Sequence, residues 1–394
     1  MLVTTIYTKL HMPPKINRRL FLCNAFGLLP SAVLMGCATS SPKTVVTPVI
    51  GVTFAPTPTS LPTATVPAPT TTPAPTLLPI ASPIPTATAT PAQPLHPLTI
   101  LAGRQRRYLG SAITFGQALA PGANYTRSIV SYRSDGFKIN GLLTLPNTPK
   151  PVNGHPILVF NHGFIPPKDY RTNEKYVMTQ DRLARAGFIT FKSDYRGHDQ
   201  SEGSPNNYGF PDYTNDVLNA LASLKTLSEA DPSNVVMWGH SMGGHISLRT
   251  MVISKEIKAG VIWGGTVGSF TEIADLHFSR TPRTTLNSIS PSDTRTWRDV
   301  FFEQFGKPSE RPDFWDAISA TNYVADLSGP LQLHHARPDT LVPTVLTQKL
   351  VERIRAVKGD VEAYYYDNDD HNLYGNFDLA MQRTLQFLKS ASKL

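Results

Sequence analysis

From residue 125 onward the apolar and polar positions follow two rhythms. YTRSIVSYRS and FKINGLLTLP alternate with period two on either side of Asp135-Gly136, which predicts a pair of strands joined by a tight turn. The character then changes. PILVFNHG, GFITFKSDYRG, NVVMWGHS, AGVIWGG, PLQLHHARPD and VEAYYYD are short apolar runs that each end in a polar or glycine-rich turn, the pattern of parallel strands buried on both faces. Between them KYVMTQDRLARAG, DYTNDVLNALASLKTL, ISLRTMVIS, TVLTQKLVERIRAVKG and FDLAMQRTLQFLKSAS carry apolar residues at three-to-four spacing and read as helices. Repeated βα units predict an α/β fold with a doubly wound, mostly parallel sheet, whose sites lie at the carboxyl ends of the strands. No repeat of fixed period is present. Residues from about 266 to 325 fall outside the alternation and are expected to form an inserted helical cap. Its aromatic side chains, Trp297, Phe301, Phe302, Phe305, Phe314 and Trp315, have two readings. They line an apolar pocket, or they pack the cap onto the domain.

The first hundred residues have no such rhythm. Of the 35 prolines, 15 fall between Pro42 and Pro97, in a stretch with one charged residue, Lys43. A segment of this composition buries too little apolar surface to offset the entropy of ordering it, so residues 37–97 are expected to form an extended Pro/Thr-rich linker ahead of a folded domain at 98–394. Upstream, KINRRLFLCNAFGLLPSAVLMGC combines a basic start, an apolar core and small residues before a cysteine. Leu34-Met35-Gly36-Cys37 resembles a bacterial lipobox, which implies cleavage after residue 36 and lipid attachment at Cys37, and Arg18-Arg19-Leu20-Phe21-Leu22 resembles the twin-arginine export signal. An uncleaved transmembrane anchor is the alternative, against which stand the short apolar run and its Asn24, Gly27 and Pro30. Either way the rest of the chain is placed outside the cytoplasm, held to a bacterial membrane. Initiation at Met12 instead of Met1 would give a more ordinary signal peptide.

Charge changes this picture little. The net charge of +8 falls to +4 once Lys9, Lys15, Arg18 and Arg19 leave with the signal, and no basic cluster interleaved with aromatics marks a nucleic-acid surface. The two cysteines, Cys23 and Cys37, both precede the folded part, so thiol chemistry is excluded there. No histidine-carboxylate group has defensible metal-ligand spacing, and no cofactor motif is present.

The remaining chemistry centres on WGHSMGGH. Asn234 to Trp238 reads as a strand and Ile246 onward as a helix, which sets Ser241 in the strand-to-helix turn of a G-x-S-x-G elbow, with Gly239 and Gly243 small because the turn is tight. A serine hydroxyl is a weak nucleophile, so a base and an orienting acid must follow it. Asp339, past the strand Leu331 to Ala336, and His371, past the strand Val361 to Tyr366, stand in the order Ser, Asp, His that this topology uses. Asp367, Asp369 and Asp370 crowd His371 but share its loop and are expected to cap a turn. His334 and His335 read as core histidines on opposite faces of their strand, and His240 is expected to pack near the sheet edge. Backbone N–H groups of Met242, after the nucleophile, and of Phe164, in the turn Asn161-His162-Gly163-Phe164, are the candidate oxyanion hole. An ordinary strand-to-loop glycine is the alternative for the second.

Residues 125–394 resemble the α/β-hydrolase superfamily, nearest to prolyl-oligopeptidase-like (S9-type) catalytic domains and dienelactone-hydrolase-like esterases. The resemblance is carried by SDGFKINGLLTLP, NHGF, LARAGFITFKSDYRGHDQSEG, GHSMGG, ARPDTLVP and DNDDHNL. Two departures occur: Ala336 stands where the acid loop usually has glycine, and Asp199 does so after SDYRG. The resemblance implies a serine hydrolase that cleaves small ester or peptide substrates without a cofactor. Carboxylic ester hydrolysis is the leading expectation, S9-type peptidase activity the alternative, and a surface binding module that has lost catalysis the rival of another class. Peptidases of this group often carry a β-propeller; here a proline-rich stalk stands ahead of the domain.

Overall fold

The computed structural model describes residues 95–205, 211–276 and 296–394. The signal segment, Cys37, nearly all of the linker and the middle of the expected cap lie outside the described residues. Among the described residues no helix is long and apolar enough to cross a membrane.

A short helix, α1 (Ile100–Gln105), leads into the strands β1 (Thr114–Leu119), β2 (Tyr125–Ser134) and β3 (Phe137–Pro146). The order then alternates through β4 (His155–Asn161), α2 (Val177–Arg185), β5 (Ile189–Ser193), α3 (Asp212–Leu224), β6 (Ala230–His240), α4 (Met242–Ile253) and β7 (Ile257–Trp263). The helices α5 (Phe270–Ala274), α6 (Trp297–Phe305) and α7 (Pro312–Ile318) and a 3-10 turn (Ala320–Asp326) come next, then β8 (Leu331–Ala336), α8 (Val345–Ala356), β9 (Val361–Tyr366) and α9 (Phe377–Ser392). The strands form one sheet in the order β1-β2-β3-β5-β4-β6-β7-β8-β9. Pairing is antiparallel from β1 through β3 to β5 and parallel from β5 to β9.

The period-two geometry of a strand sorts the apolar runs onto two faces. On β4, Ile157 and Val159 join the core on one face while Leu158 and Phe160 join the other; on β6, Val235 and Met237 oppose Val236 and Trp238. The first face is covered by Val217 and Leu221 of α3, Leu248 and Met251 of α4 and Leu350 and Ile354 of α8. The second is covered by Leu183 of α2 and Met381 and Leu388 of α9. Each such side chain contributes about 1.5–3 kcal/mol on burial, so both layers hold the sheet and fix where its strand ends lie. The runs without alternation are therefore buried because helices lie on both sides, as predicted.

The segment between β7 and β8 is helical in its described parts, where α7 packs on α1, and the 3-10 turn on α4 and α8. Its aromatics follow the packing reading. Phe301, Phe314 and Trp315 are buried in a small core of their own with Leu98, Phe270 and Ile273, and Phe302 and Phe305 lie against it.

Candidate active site

β6 ends at His240 and α4 starts at Met242, which leaves Ser241 alone between strand and helix at φ 55° and ψ −121°. A non-glycine residue there carries strain of about 1–3 kcal/mol, sustained only where the surroundings over-determine it. They do. Ser241 N–H donates to the Trp263 carbonyl at 3.0 Å, and the Ser241 carbonyl accepts from Gly244 and Thr266 at 2.9 and 3.1 Å. The two elbow glycines serve close approach: a methyl on Gly243 would lie 2.0 Å from Asn161 O, and one on Gly239 2.4 Å from Gly243 O. Ser241 is half-buried at the carboxyl end of β6, an inner strand, where the fold predicts a site.

β8 delivers the acid. The Asp339 side chain is fully buried, with Oδ1 accepting from Leu341 and Val342 N–H at 2.8 and 2.9 Å and Oδ2 2.7 Å from His371 Nδ1. A second histidine, His335, brings Nε2 to 3.2 Å from the same Oδ2. Burial would raise the Asp339 carboxyl, but hydrogen bonds from His335, His371 and Val342 outweigh it and hold the group well below the usual carboxylate range. An ionised Asp339 makes His371 Nδ1 the donor and leaves Nε2 with the lone pair.

The His371 loop follows β9 and is built by its own acids, as expected for two of them. Asp369 accepts from Asp370, Gly375 and Asn376 N–H, and Asp370 accepts from Asn372 N–H. Asp367 instead pairs with Arg337 at 2.8 Å. The loop meets the elbow directly, since a methyl on Gly264, the residue after the Trp263 that holds Ser241, would lie 3.2 Å from His371 Nδ1. Ser241, Asp339 and His371 are thus brought to one end of the sheet by three separate strands.

The candidate oxyanion turn lies on the other side of the serine. A methyl on Gly163 would be 3.1 Å from Ser241 Cβ, and Phe164 follows with its side chain partly exposed. Met242 is the first residue of α4, so its N–H has no intrahelical acceptor.

Two expectations need correction. His240 does not pack near the sheet edge: β6 is flanked by β4 and β7, and the buried His240 ring stands 4.7 Å from that of His371. α4 begins four residues earlier than the position from which a helix was expected, directly after the nucleophile. His334 behaves as a core histidine, bonded to Tyr366 and Gln332 at 2.8 Å each. His335 is also buried and bonded, to Thr347 at 2.7 Å and the Val342 carbonyl at 2.9 Å, but its contact with Asp339 gives it a place in the site that a strand pattern does not reveal. The departure at Asp199 has a local account. The residue takes φ 47°, a conformation glycine adopts freely and aspartate tolerates, and Oδ2 accepts from Thr172 N–H and Oγ1–H at 3.1 and 2.9 Å.

Residues 155–288 match the family model described as serine aminopeptidase, S33. A Bacillus subtilis protein named uncharacterized peptidase YtmA is 22% identical over 243 residues, which span 61% of this chain and 84% of that one. Among solved structures, an acetyl xylan esterase from Paenibacillus sp. R4 superposes with a TM-score of 0.55 at 17% identity, over 73% of this chain and 91% of the esterase. The chain has the α/β-hydrolase fold. Its enzyme class is serine hydrolase. Dipeptidyl peptidase 4 of Porphyromonas gingivalis shares the fold, with a TM-score of 0.52 at 18% identity; the match takes in 68% of this chain and only 36% of the peptidase.

Proposed function

We propose that this α/β-hydrolase is an exported esterase that cleaves short carboxylic esters through an acyl-enzyme, with Ser241 as nucleophile, His371 as base and Asp339 as orienting acid. The single observation that carries the reading is the 2.7 Å contact of Asp339 Oδ2 with His371 Nδ1 beside the strained serine. In this reading His371 Nε2 takes the Ser241 proton as Oγ attacks the acyl carbon, then delivers it to the leaving alkoxide. Water repeats the sequence to release the acid. The tetrahedral oxyanion is stabilised by the N–H groups of Met242 and Phe164.

Ester preference is read from the state of two carboxylates in the segment between β7 and β8. An exopeptidase must hold a charged substrate amino terminus, which takes an uncommitted acid. Glu272 is engaged by Lys349 and Arg353 at 3.0 and 2.9 Å, and Asp299 caps α6 through Thr296. Asp293 lies outside the described residues. kcat/KM for short-chain aryl esters is expected to exceed that for aminoacyl amides at least about a hundredfold, near 2.7 kcal/mol of differential transition-state stabilisation. Matched ester and amide substrates of one acyl unit, with and without a free α-amino group, measure it. The serine-aminopeptidase family match favours a second reading, peptidase activity, and a clear preference for the free amine would select it.

Export belongs to the same proposal, with Cys37 as the lipidated residue that tethers the domain through the Pro/Thr-rich linker to a bacterial membrane. Metabolic labelling with a fatty-acid analogue should tag the protein, and Cys37→Ser should abolish the tag. Continued cleavage of that variant after Gly36 would replace the lipobox with an ordinary signal-peptidase site.

A further inference from the structure

We propose that Tyr176 and His240 form a hydrogen-bonded tie that positions the oxyanion turn and the base loop on either side of Ser241. The inference rests on the serine-hydrolase reading of that site and adds two positioning residues to it. Gly163 N–H donates to Tyr176 Oη at 2.9 Å, Tyr176 Oη lies 2.8 Å from His240 Nδ1, and His240 Nε2 lies 3.0 Å from the His371 carbonyl oxygen. The two ends fix the polarity of this chain. A backbone N–H only donates and a carbonyl only accepts, so the tyrosine hydroxyl accepts from Gly163 and gives its one proton to Nδ1. His240 must then carry its proton on Nε2, which donates to His371. Every donor meets one acceptor, and the opposite histidine tautomer would set a lone pair against the carbonyl.

The surroundings keep this arrangement in place. The Tyr176 ring packs edge-on against Phe160, Trp238 and His240, with centroids 5.6, 6.1 and 5.6 Å away. Its backbone sits at φ 63°, ψ 22°, a left-handed conformation that a bulky aromatic rarely adopts, and it does so at the residue that opens α2. Leu373, two residues past His371, is a second strained residue, at φ 56°, and is itself fully buried. Strain of this kind persists where packing demands a particular side-chain position. His240 stays neutral in the tie, because burial and the neighbouring His371 lower it to about 3. The groups joined are those on which the chemistry depends. Gly163 opens the turn carrying Phe164, His240 is the covalent neighbour of Ser241, and His371 is the candidate base.

Tyr176→Phe removes one oxygen and keeps the packed ring. It takes away the acceptor for Gly163 N–H and the donor to His240 Nδ1, so the oxyanion turn and the base loop lose their common reference. Steady-state hydrolysis of an aryl ester by the full chain is expected to show kcat lowered about 10- to 100-fold with KM within about twofold, the split expected when geometry needed only in the transition state is lost. His240→Phe should lower kcat similarly, and the double variant should be no slower than His240→Phe alone, since the two residues act as one unit. Imidazole 15N spectra of histidine-labelled protein supply a readout that a packing role would not move. The wild type should show His240 as the Nε2–H tautomer with Nδ1 shifted by the phenolic proton it accepts, and Tyr176→Phe should move the Nδ1 resonance to that of an unbonded ring nitrogen while Nε2 keeps its proton against the His371 carbonyl. Wild-type kcat in Tyr176→Phe, strictly additive losses in the double variant, or an Nδ1–H tautomer in the wild type would each overturn the tie. The 15N readout needs no turnover, so absence of esterase activity in the wild type would count against the hydrolase reading and leave the tie to be decided by the spectra.

Discussion

Ser241→Ala should lower kcat/KM for a short-chain aryl ester by at least about a thousandfold, leaving only what an oxyanion hole and substrate binding supply on their own. The substitution deletes the attacking oxygen and nothing else. The elbow is held by the backbone of Ser241, through Trp263, Gly244 and Thr266, and alanine keeps those three bonds. It also adds no atom near Gly239, Gly243 or Gly163, where space is absent. The melting temperature should therefore stay within about 2 °C of the wild type. Residual turnover above roughly one part in a thousand, in a variant shown to be folded, would remove Ser241 from the nucleophile's role.

Asp339→Asn should cost about 10³–10⁴-fold in kcat, the size that accompanies replacement of the orienting acid of a serine triad by its amide. The hydrogen bonds say why. Oδ1 accepts from two backbone N–H groups, Leu341 and Val342, so an asparagine must turn its carbonyl oxygen to them and its NH2 to the position of Oδ2. There it meets His371 Nδ1 and His335 Nε2, both placed to donate. The amide forces His371 to accept at Nδ1, which moves the remaining ring proton to Nε2 and blocks the base. Stability should change with a defined sign. Because Asp339 is held below its unfolded value of about 3.9, its ionisation stabilises the native protein above that pH, and the contribution is lost as pH falls through the depressed folded value. The melting temperatures of wild type and variant should therefore differ most near neutrality and converge as the pH is lowered below about 4. A constant gap across that range would mean that the charge contributes nothing to the fold.

Much of this was legible in the chain because the signals are local. The strands YTRSIVSYRS and FKINGLLTLP and the last helix, FDLAMQRTLQFLKSAS, coincide with observed elements, since alternation and helical spacing report burial directly. The elbow, acid loop and histidine loop were visible as residues set just past strand ends. β1 was not legible: TFGQAL is an exposed edge strand with no apolar face to mark it. α4 was placed too late because Met242 to His245 contains two glycines and shows no period, and the helix there is imposed by the elbow and by burial on all sides. The roles of His335, Tyr176 and His240 could not be read from spacing. His335 reaches Asp339 by a side-chain hydrogen bond across a loop, and the tie joins residues 163, 176, 240 and 371 from four separate segments. The aromatic run in the expected cap was read correctly as apolar, but composition alone could not separate a pocket lining from the small core that Phe301, Phe314 and Trp315 form.

The most direct test of the central claim is covalent labelling of the full chain with a fluorophosphonate, followed by intact mass and peptide mapping. The account predicts one phosphonyl group per chain, on Ser241, and none in Ser241→Ala; an unlabelled wild type, or a label on any other residue, would contradict it.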